Sequence, residues 1–360
     1  MTTMMTIGEV FRVTLFGSSH GPHVGATIEG IPVGTKIDLK RIQSAMDERK
    51  PGGKFASKRR ETDEVIWEQG IENEIVTGTE IRCMIPNKDV KSSDYSFLPH
   101  HPRPGHQDMV MQIKSNGEAD LRGGGTSSAR MTAPIVAAAA LVSPLLEGRG
   151  IHIEAHVSQI GDVKADVMNQ CPPRWASEEC EQLRCRDPKA ANKMARLIEE
   201  TRAQRDSIGS RVTASIRGLP IGVGEPWFDG IEPALSRALF AIPAVRGVEF
   251  GYGFGVVEMN GSAHNSPWGG TSEHPIQIGE QPDGGLAGLS TGSEVRISIA
   301  FKPPSSIAKP QPTLNIESNQ IEDLVVKGRH DPVLAPRAAP VVEAMCNIII
   351  YDLCKRGGFL

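Results

Sequence analysis

Alternating apolar and polar residues predict strands in several parts of the chain. Between positions 9 and 16, Phe11, Val13 and Leu15 fall on one face and the residues between them fall on the other. A period of two residues is typical of a strand, because successive side chains point to opposite faces of a sheet. The same pattern predicts further strands at 25–31, 151–157 and 295–301.

A longer period predicts helices. Leu39, Ile42 and Met46 recur at helical spacing within 38–48, and Asp38 is a residue type that caps helix N-termini. Helices are also predicted at 188–205, 231–242 and 340–355, and in the Ala-rich segment after Arg130. With 38 Gly and 26 Pro available for turns, the chain is predicted to have an α+β fold with short elements.

Two segments of the chain are similar to each other. ATIEGIPVG at 26–34 and ASIRGLPIG at 214–222 match in residue type at every position, and a helical pattern follows each of them. We therefore predict a single domain over 1–360 with two similar, pseudo-symmetric halves at 1–190 and 191–360. Coincidence between one pair of short segments is the alternative.

Charge and apolar content exclude several classes of protein. The chain has 39 Lys and Arg against 43 Asp and Glu, whereas nucleic-acid binding needs a basic excess. The longest apolar run, 133–142, contains Pro134 and is too short to span a bilayer. The first residues lack the basic and apolar segments of a secretory signal. We predict a cytoplasmic protein that binds neither nucleic acid nor membrane.

The cysteines and histidines give no metal signal. None of the six cysteines forms a C-x-x-C pair, so reduced thiols are predicted rather than a zinc ribbon or a redox motif. Histidines and carboxylates within 100–108 and 152–156 lack the spacing of catalytic zinc sites. No metal site is predicted.

Four glycine- or proline-shaped polar motifs carry the candidate chemistry. They are FGSSHG at 16–21, RPGHQD at 103–108, GGGTSSAR at 123–130 and KGRHDP at 327–332. His20 and His106 are candidate proton carriers, because the unperturbed His pKa is near 6.5, and Asp331 is a candidate base. A single loop His is more often incidental. The set of four motifs nevertheless predicts one active site assembled by the fold.

Two of these regions suit anions. GGGTSSAR precedes the Ala-rich helix, so its backbone N–H groups and hydroxyls can cradle a phosphate, although a serine-rich helix cap is an equally good explanation. A second region, 49–60, surrounds a Pro-Gly-Gly turn with cations and predicts capture of a small polyanion. A solvated basic face balanced by Glu61, Asp63 and Glu64 is its alternative. Its cations are Arg49, Lys50, Lys54, Lys58, Arg59 and Arg60.

In this order, the motifs resemble those of the chorismate synthase family over nearly the whole chain. FRVTLFGSSHG, RGGGTSSAR and GRHDPVLAPRAAPVVEAM match the three signature regions of the family. KSSDYSF, RPGHQD, DSIGSRV, GVEFGYGF and FKPPSSI are similar to further family landmarks. So many ordered matches make a chance resemblance untenable.

The resemblance implies a reaction and a fold. The reaction is the 1,4-anti elimination that converts 5-enolpyruvylshikimate 3-phosphate to chorismate and phosphate, with reduced FMN and no net redox change. Whether NADPH or an external reductant reduces the flavin stays open. The implied fold is a β-α-β sandwich of two antiparallel sheets around helices, in a homotetramer. The phosphate and two carboxylates of this substrate agree with the cationic residues described above.

The resemblance also implies roles for individual residues. His20 is similar to the His that protonates the leaving phosphate, His106 to the His that protonates reduced flavin, and Asp331 to the carboxylate that assists flavin N5. The implied substrate-binding cations are Arg49, Lys54, Arg103 and Arg130. The implied FMN-binding residues are Thr126, Ser127, Ser128, Ala244, Ala287, Lys302, Pro303, Pro304, Ser305, Ser306 and Arg329.

Several positions depart from the family pattern. Thr126 and Pro134 replace arginines, so two cations are missing, and each lost charge-assisted contact costs about 1.5–3 kcal/mol where nothing compensates. The other departures are Ser18 for Glu, Met131 for Glu, Ala287 for Gly, Val333 for Cys, and Glu48-Arg49-Lys50 for three arginines. Two alternatives follow: a non-catalytic paralogue that binds FMN and anions, and a flavin-dependent oxidoreductase that consumes NAD(P)H.

Overall fold

The structure is a computed structural model that describes residues 5–50, 53–55, 61–89, 92–166, 175–279, 282–328 and 330–360. The α-helices of this part are α1 (Leu39–Arg49), α2 (Asp108–Lys114), α3 (Thr132–Glu147), α4 (Glu178–Leu183), α5 (Pro188–Ala203), α6 (Ile231–Phe240), α7 (Gly261–His264) and α8 (Ala335–Arg356). Short 3-10 helices occur at Ser92–Tyr95, Gly125–Ser127, Ala129–Met131, Trp227–Asp229 and Gly253–Glu258.

The strands form two main sheets and several hairpins. The strands are β1 (Thr6–Ile7), β2 (Arg12–Gly17), β3 (His23–Glu29), β4 (Ile66–Gln69), β5 (Ile71–Glu72), β6 (Ile75–Val76), β7 (Glu80–Pro86), β8 (His152–Ile160), β9 (Val163–Lys164), β10 (Ser210–Arg217), β11 (Val245–Phe250), β12 (Trp268–Gly270), β13 (Pro275–Gln277), β14 (Gly285–Leu286), β15 (Leu289–Ser290), β16 (Val295–Phe301), β17 (Gln311–Asn315) and β18 (Gln320–Leu324).

Both main sheets are five-stranded and antiparallel. The first has the order β1-β2-β3-β7-β4, and the second has the order β11-β16-β10-β8-β9. Val13 lies opposite Ile28, and Ile28 lies opposite Ile81, so one face of the first sheet is a buried apolar layer. Alternation of side chains explains why this face is closed to solvent.

Two long helices connect the sheets through the core. The helix α3 contacts β2, β3 and β7 of the first sheet, α8 contacts β8 and β10 of the second, and α3 and α8 contact each other. Most residues of both helices are buried, in keeping with apolar side chains on all sides. The architecture is therefore α+β, with antiparallel sheets and helices packed on them.

The patterned segments form the expected elements. The strand predicted at 295–301 is β16, and Asp38 caps α1 by accepting hydrogen bonds from the backbone N–H groups of Lys40 and Arg41. The closing helix predicted at 340–355 was placed too late, because α8 begins at Ala335. Proline fits the first helical turn, so Pro336 does not delay the start of α8.

The two similar segments occupy corresponding places. The strand β3 contains residues of the first copy and is central in the first sheet, and β10 contains residues of the second copy and is central in the second sheet. Gly30 and Gly218, at matching positions, both have positive φ values, of 95° and 76°. A Cβ atom at either glycine would lie 2.0 Å from a backbone carbonyl oxygen, so both turns require glycine.

The two ends of the chain meet through one carboxylate. Oδ1 of Asp352, in α8, accepts hydrogen bonds from the backbone N–H groups of Glu9, Val10 and Phe11 at 3.1, 2.8 and 2.8 Å. The Phe11 ring contacts Tyr351 edge-on, with ring centroids 5.0 Å apart. The C-terminal helix therefore fixes the start of the first sheet.

The apolar helical stretch is longer than the sequence pattern indicated. Within the described residues, Ala129–Glu147 is long and apolar enough to cross a membrane by length and composition. The apolar run 133–142 alone predicts a segment that is too short to span a bilayer. That prediction is wrong about the length of the apolar helical stretch. Of its most apolar window, 78% is buried inside the molecule, as in the core helix of a globular protein.

A carboxyl group on α8 makes stability depend on pH. Desolvation, with a contribution from Glu48, raises the pKa of Glu343 from 4.5 to about 7. Between these values the folded state binds more protons than the unfolded state, so the free energy of unfolding falls as pH rises. Glu343→Gln is expected to raise the free energy of unfolding by about 2–3 kcal/mol above pH 7 and to change it little at pH 4.5.

Chemical denaturation at the two pH values measures this effect. Glu317→Gln is the matched control, because the Glu317 side chain is 79% exposed. An equal increase in the free energy of unfolding at both pH values, or an increase in the control, would contradict the assignment of this pH dependence to Glu343.

Candidate active site

The glycine-rich motif at 123–130 does not open directly onto the Ala-rich helix. Two 3-10 turns, Gly125–Ser127 and Ala129–Met131, separate the glycines from α3, which begins at Thr132. The Ser128 hydroxyl accepts a hydrogen bond from the Arg130 N–H at 3.2 Å, so it caps the second turn. The helix-cap explanation thus holds for Ser128 on a 3-10 turn, not on the long helix.

Carbonyl groups of this loop contact the loops of both candidate histidines. The Ser19 N–H donates to the Gly125 carbonyl at 3.2 Å, and the Gln107 side-chain amide donates to the Gly124 carbonyl at 2.9 Å. Ser19 precedes His20, and Gln107 follows His106. The fold therefore brings the motif at 16–21 to the motifs at 103–108 and 123–130, which follow it by about 80 and 100 residues of sequence.

His20 lies directly against the glycine loop. A Cβ atom on Gly123 would lie 2.6 Å from His20 Nε2, and Gly123 has a φ of 68°, so both space and backbone conformation require glycine. The Tyr95 ring contacts the His20 ring edge-on, with ring centroids 5.1 Å apart. The Arg103 guanidinium lies 5.5 Å from the centroid of the same Tyr95 ring. Tyr95 thus lies between the first two motifs.

His106 is oriented by a buried carboxylate. His106 Nδ1 lies 2.6 Å from Asp108 Oδ1, and Arg103 binds both oxygens of Asp108 at 2.7 Å. Burial raises the pKa of Asp108, but the hydrogen bonds from Arg103 and His106 outweigh it and hold this pKa well below its usual range. Asp108 is therefore ionised, and His106 Nε2 is the ring nitrogen left to face a ligand.

A second buried ion cluster contains Arg49 and Arg130. One oxygen of Asp63 binds Arg49 at 2.6 Å and the other binds Arg130. All three side chains are at least 97% buried. Burial lowers the pKa of Arg49 to about 10, against the opposing effect of Asp63. The alternative of a solvated basic face does not describe Arg49 or Asp63.

The segment 302–306 packs against the RPGHQD loop. Lys302 Nζ and Ser305 Oγ donate hydrogen bonds to the Gly105 carbonyl at 2.5 and 2.8 Å, and Arg103 donates to Ser306 Oγ at 3.2 Å. Burial, with a contribution from Arg246, lowers the pKa of Lys302. The same segment contacts a third region, because the Pro304 carbonyl accepts a hydrogen bond from Ser207. Pro303 lies beside Gly209.

A cavity of about 450 Å³ adjoins these residues. Thr126, Ser127, Ser128 and Ala244 line it, and the Ala244 carbonyl accepts a hydrogen bond from the Lys302 N–H at 3.0 Å. Most of the remaining wall is apolar, and two arginines, Arg237 and Arg246, also line the cavity. This volume lies within the range of about 300–1,000 Å³ that is usual for cofactor pockets.

Three further expected residues, Asp331, Lys54 and Ala287, have the surroundings given next, and a fourth, Arg329, lies outside the described part. Asp331 is bound by Arg337 at 2.6 Å, and its neighbour His330 lies beside Gly328, as does Asp94, the residue just before Tyr95. Lys54 extends instead toward Glu179 and Glu199, at 3.8 and 3.3 Å. Ala287 lies in the β14–β15 turn, which packs against the segment 224–230. Arg329 lies outside the described residues, as do Lys58, Arg59 and Arg60 of the basic loop.

Sequence patterns missed the residues that hold the cations and histidines in place. Asp63 was treated only as a surface counter-charge, and Arg237 and Arg246 carried no motif. Tyr95 lies within the KSSDYSF segment and Asn87 lies just before it, but their contacts are with residues distant in sequence. One local pattern indicated Asp108: in RPGHQD, a His and an Asp two residues apart follow Pro-Gly.

Comparison with known proteins tests the resemblance directly. A family model described as chorismate synthase matches residues 11–354. The chain belongs to the chorismate synthase family. A chorismate synthase from Aeropyrum pernix is 43% identical over 361 residues, covering 98% of this chain and 93% of that relative. One from Chloroflexus aurantiacus is 41% identical over 349 residues, covering 96% and 94%.

The family fold is also found in solved structures. A crystal structure of a chorismate synthase aligns with a TM-score of 0.74 at 22% identity, covering 97% of this chain and 93% of that chain. At this identity the likeness supports the fold, whereas the membership of the chorismate synthase family rests on the sequence matches.

Proposed function

We propose that the chain converts 5-enolpyruvylshikimate 3-phosphate to chorismate and phosphate, the last step of the shikimate pathway, with reduced FMN as cofactor. The observation that carries this proposal is the convergence of the His20 and His106 loops on the carbonyls of Gly124 and Gly125. Two acid–base groups beside an anion-binding loop suit a reaction in which phosphate departs and protons move. The family membership of the whole chain supports the same reaction.

The residues around the 450 Å³ cavity fit a flavin mononucleotide. Its apolar wall suits an aromatic ring system, and hydroxyl groups at 126–128 with two arginines suit a phosphate. Arg237 and Arg246 supply cations in the wall where Thr126 replaces an arginine. We propose that Ser127, Ser128, Ala244 and Lys302 hold this cofactor, with Pro303 to Ser306 and Arg329 completing the site and Ala287 as a further contact.

When bound, reduced FMN supplies electron density as the phosphate leaves and recovers it without net oxidation. The protein's part is to hold protons at defined atoms. His106 carries its mobile proton on Nε2, because Asp108 binds Nδ1 and remains ionised. His20 presents Nε2 beside the glycine loop and protonates the departing phosphate. Asp331, held by Arg337, is the third acid–base group.

The substrate carries a phosphate and two carboxylates, so the site must provide positive charge. We propose that Arg49, Lys54, Arg103 and Arg130 provide it. Within the described residues, Arg49, Arg130 and Arg337 form ion pairs with two carboxylates, Asp63 and Asp331, so this cluster has three cations and two anions. Such an excess favours a polyanionic substrate over a neutral one.

Anaerobic assay tests this proposal. Chorismate, followed by its absorbance, and phosphate are expected in equal amounts from 5-enolpyruvylshikimate 3-phosphate with dithionite-reduced FMN. Binding of both ligands without phosphate release would instead identify a non-catalytic paralogue. Net consumption of NAD(P)H with an organic substrate would identify an oxidoreductase. Product formed with FMN and with NADPH as the sole reductant would establish that the chain reduces its own flavin.

We also propose that the fold is a single β-α-β sandwich with two pseudo-symmetric halves and that it assembles as a cytoplasmic homotetramer. The central placement of β3 and β10 supports the two halves. Trp227 and Phe228 are 81% and 89% exposed, as expected of side chains that a second copy covers. Sedimentation velocity measures the assembly, and a monomer at micromolar concentration would contradict it. Free thiols at Cys83, Cys180, Cys346 and Cys354 support a reducing compartment.

A further inference from the structure

Asn87 lies between the turn that carries His20 and the buried arginine cluster. Its Nδ2 donates hydrogen bonds to the carbonyls of Ser18 and Gly21, at 3.0 and 2.8 Å. These two carbonyls lie on either side of Ser19 and His20. The Asn87 side chain therefore spans the two ends of the turn.

The other end of the Asn87 amide is fixed by an arginine. Asn87 Oδ1 accepts a hydrogen bond from Arg130 Nε at 2.8 Å, and Arg130 also donates to the Pro86 carbonyl at 2.9 Å. An amide offers donors on nitrogen and an acceptor on oxygen, and only one orientation places the donors on two carbonyls and the acceptor on a guanidinium. Arg130 thus selects the orientation of Asn87, and Asp63 holds Arg130.

The backbone reinforces this arrangement. The Asn87 N–H donates to the Pro22 carbonyl at 3.0 Å, and the Gly21 N–H donates to the Ser18 carbonyl at 3.1 Å. Asn87 follows the end of β7, which pairs with β3, so its main chain is anchored in the first sheet. A rigid strand end thereby supports a loop residue at the site.

We propose that Asn87 is a positioning residue that fixes the His20 imidazole against the glycine loop. It acts through backbone carbonyls and does not itself contact the reacting atoms. His20 Nε2 must stay close to Gly123, where a Cβ atom would be excluded, so a small rotation of the turn misplaces the proton donor. The inference rests on the proposed role of His20 in phosphate release.

Asn87→Asp tests the inference with little change in shape. The variant keeps an acceptor for Arg130 but replaces the NH₂ donor with an oxygen that faces two carbonyl oxygens. It is expected to lower kcat by about 10-fold or more and to leave KM within about 3-fold, because proton transfer depends on donor geometry. Asn87→Ser, which retains a small donor and adds no charge, is the second variant if Asn87→Asp does not fold.

A double-mutant cycle separates positioning from a general structural effect. In a His20→Ala background, Asn87→Asp is expected to cause no further loss of kcat, because the group that it positions is gone. Equal fold-losses in both backgrounds would overturn the proposal. Asn315→Asp is the matched control, since Asn315 also donates through Nδ2, to Glu322 on the β17–β18 hairpin, and it should leave kcat unchanged.

A readout independent of turnover keeps the result distinct from failure of the proposed function. In protein labelled at histidine ¹³Cε1, the His20 resonance is assigned by its loss in His20→Ala. Asn87→Asp is expected to shift and broaden that resonance while leaving the His274 resonance in place. An unchanged His20 resonance overturns the positioning role. A shifted resonance in a chain that forms no chorismate would uphold the positioning and reject only the reaction.

Discussion

Asp63→Ala is expected to lower the free energy of unfolding by about 3–5 kcal/mol, because it leaves two buried guanidinium groups without their shared counter-charge. The Asp63 side chain is 0% exposed, and its two oxygens bind Arg49 and Arg130 separately. The two arginines would then repel each other at a site from which water is largely excluded. Denaturant titration at pH 7 measures the loss.

The control for this effect is Asp323→Ala, because Asp323 is exposed on β18. It should change the free energy of unfolding by less than about 0.5 kcal/mol. Adding Arg49→Met to Asp63→Ala should recover part of the loss, since it removes one of the uncompensated charges. A loss below 1 kcal/mol for Asp63→Ala would mean that water enters the cluster and screens it.

His106→Ala is expected to lower kcat by about 100-fold or more, the usual contribution of a general acid–base group. His106 is 21% exposed on its side chain, so its removal opens no sealed core and the protein should remain folded. Single-turnover measurement with reduced FMN separates this chemical effect from product release. His20→Ala is expected to have an effect of the same size.

His274→Ala provides the matched comparison, because His274 is exposed in the turn between β12 and β13. It should retain the turnover of the unmodified chain. Turnover within 3-fold of that value in His106→Ala would remove His106 from the mechanism. In that case the bond to Asp108 would have only a structural purpose.

Local patterns predicted the elements of the fold because those patterns act within a few residues. Phe11, just before β2, and Val13, within it, lie on one face of the alternating pattern and are buried, and Asp38 caps α1 as its type indicated. The start of α8 was misplaced because the apolar pattern does not show whether Pro336 ends a loop or begins a helix. The extent of α8 depends on its packing against β8 and β10, which a local pattern does not contain.

The candidate site was predictable only as far as its motifs. Neighbouring glycines and prolines identify His20, His106 and the glycine loop as candidate site residues. Asp63 did not, because its burial depends on Arg130, which lies 67 residues away, and on a backbone with a φ of 50°. The orientation of Asn87 likewise depends on Arg130, which is distant in sequence. Sequence identifies reactive groups more readily than the residues that orient them.

The contact between Asp352 and Glu9–Phe11 has a consequence for synthesis on the ribosome. Phe11 and Asp352 are separated by 341 residues. At about 5–20 residues per second, Asp352 is therefore translated roughly 20–70 s after Phe11. Throughout that interval the N–H groups of Glu9, Val10 and Phe11 lack the carboxylate of Asp352, and α3 lacks its partner α8. A message truncated before codon 335 is therefore expected to yield a chain that chaperones retain and proteases remove.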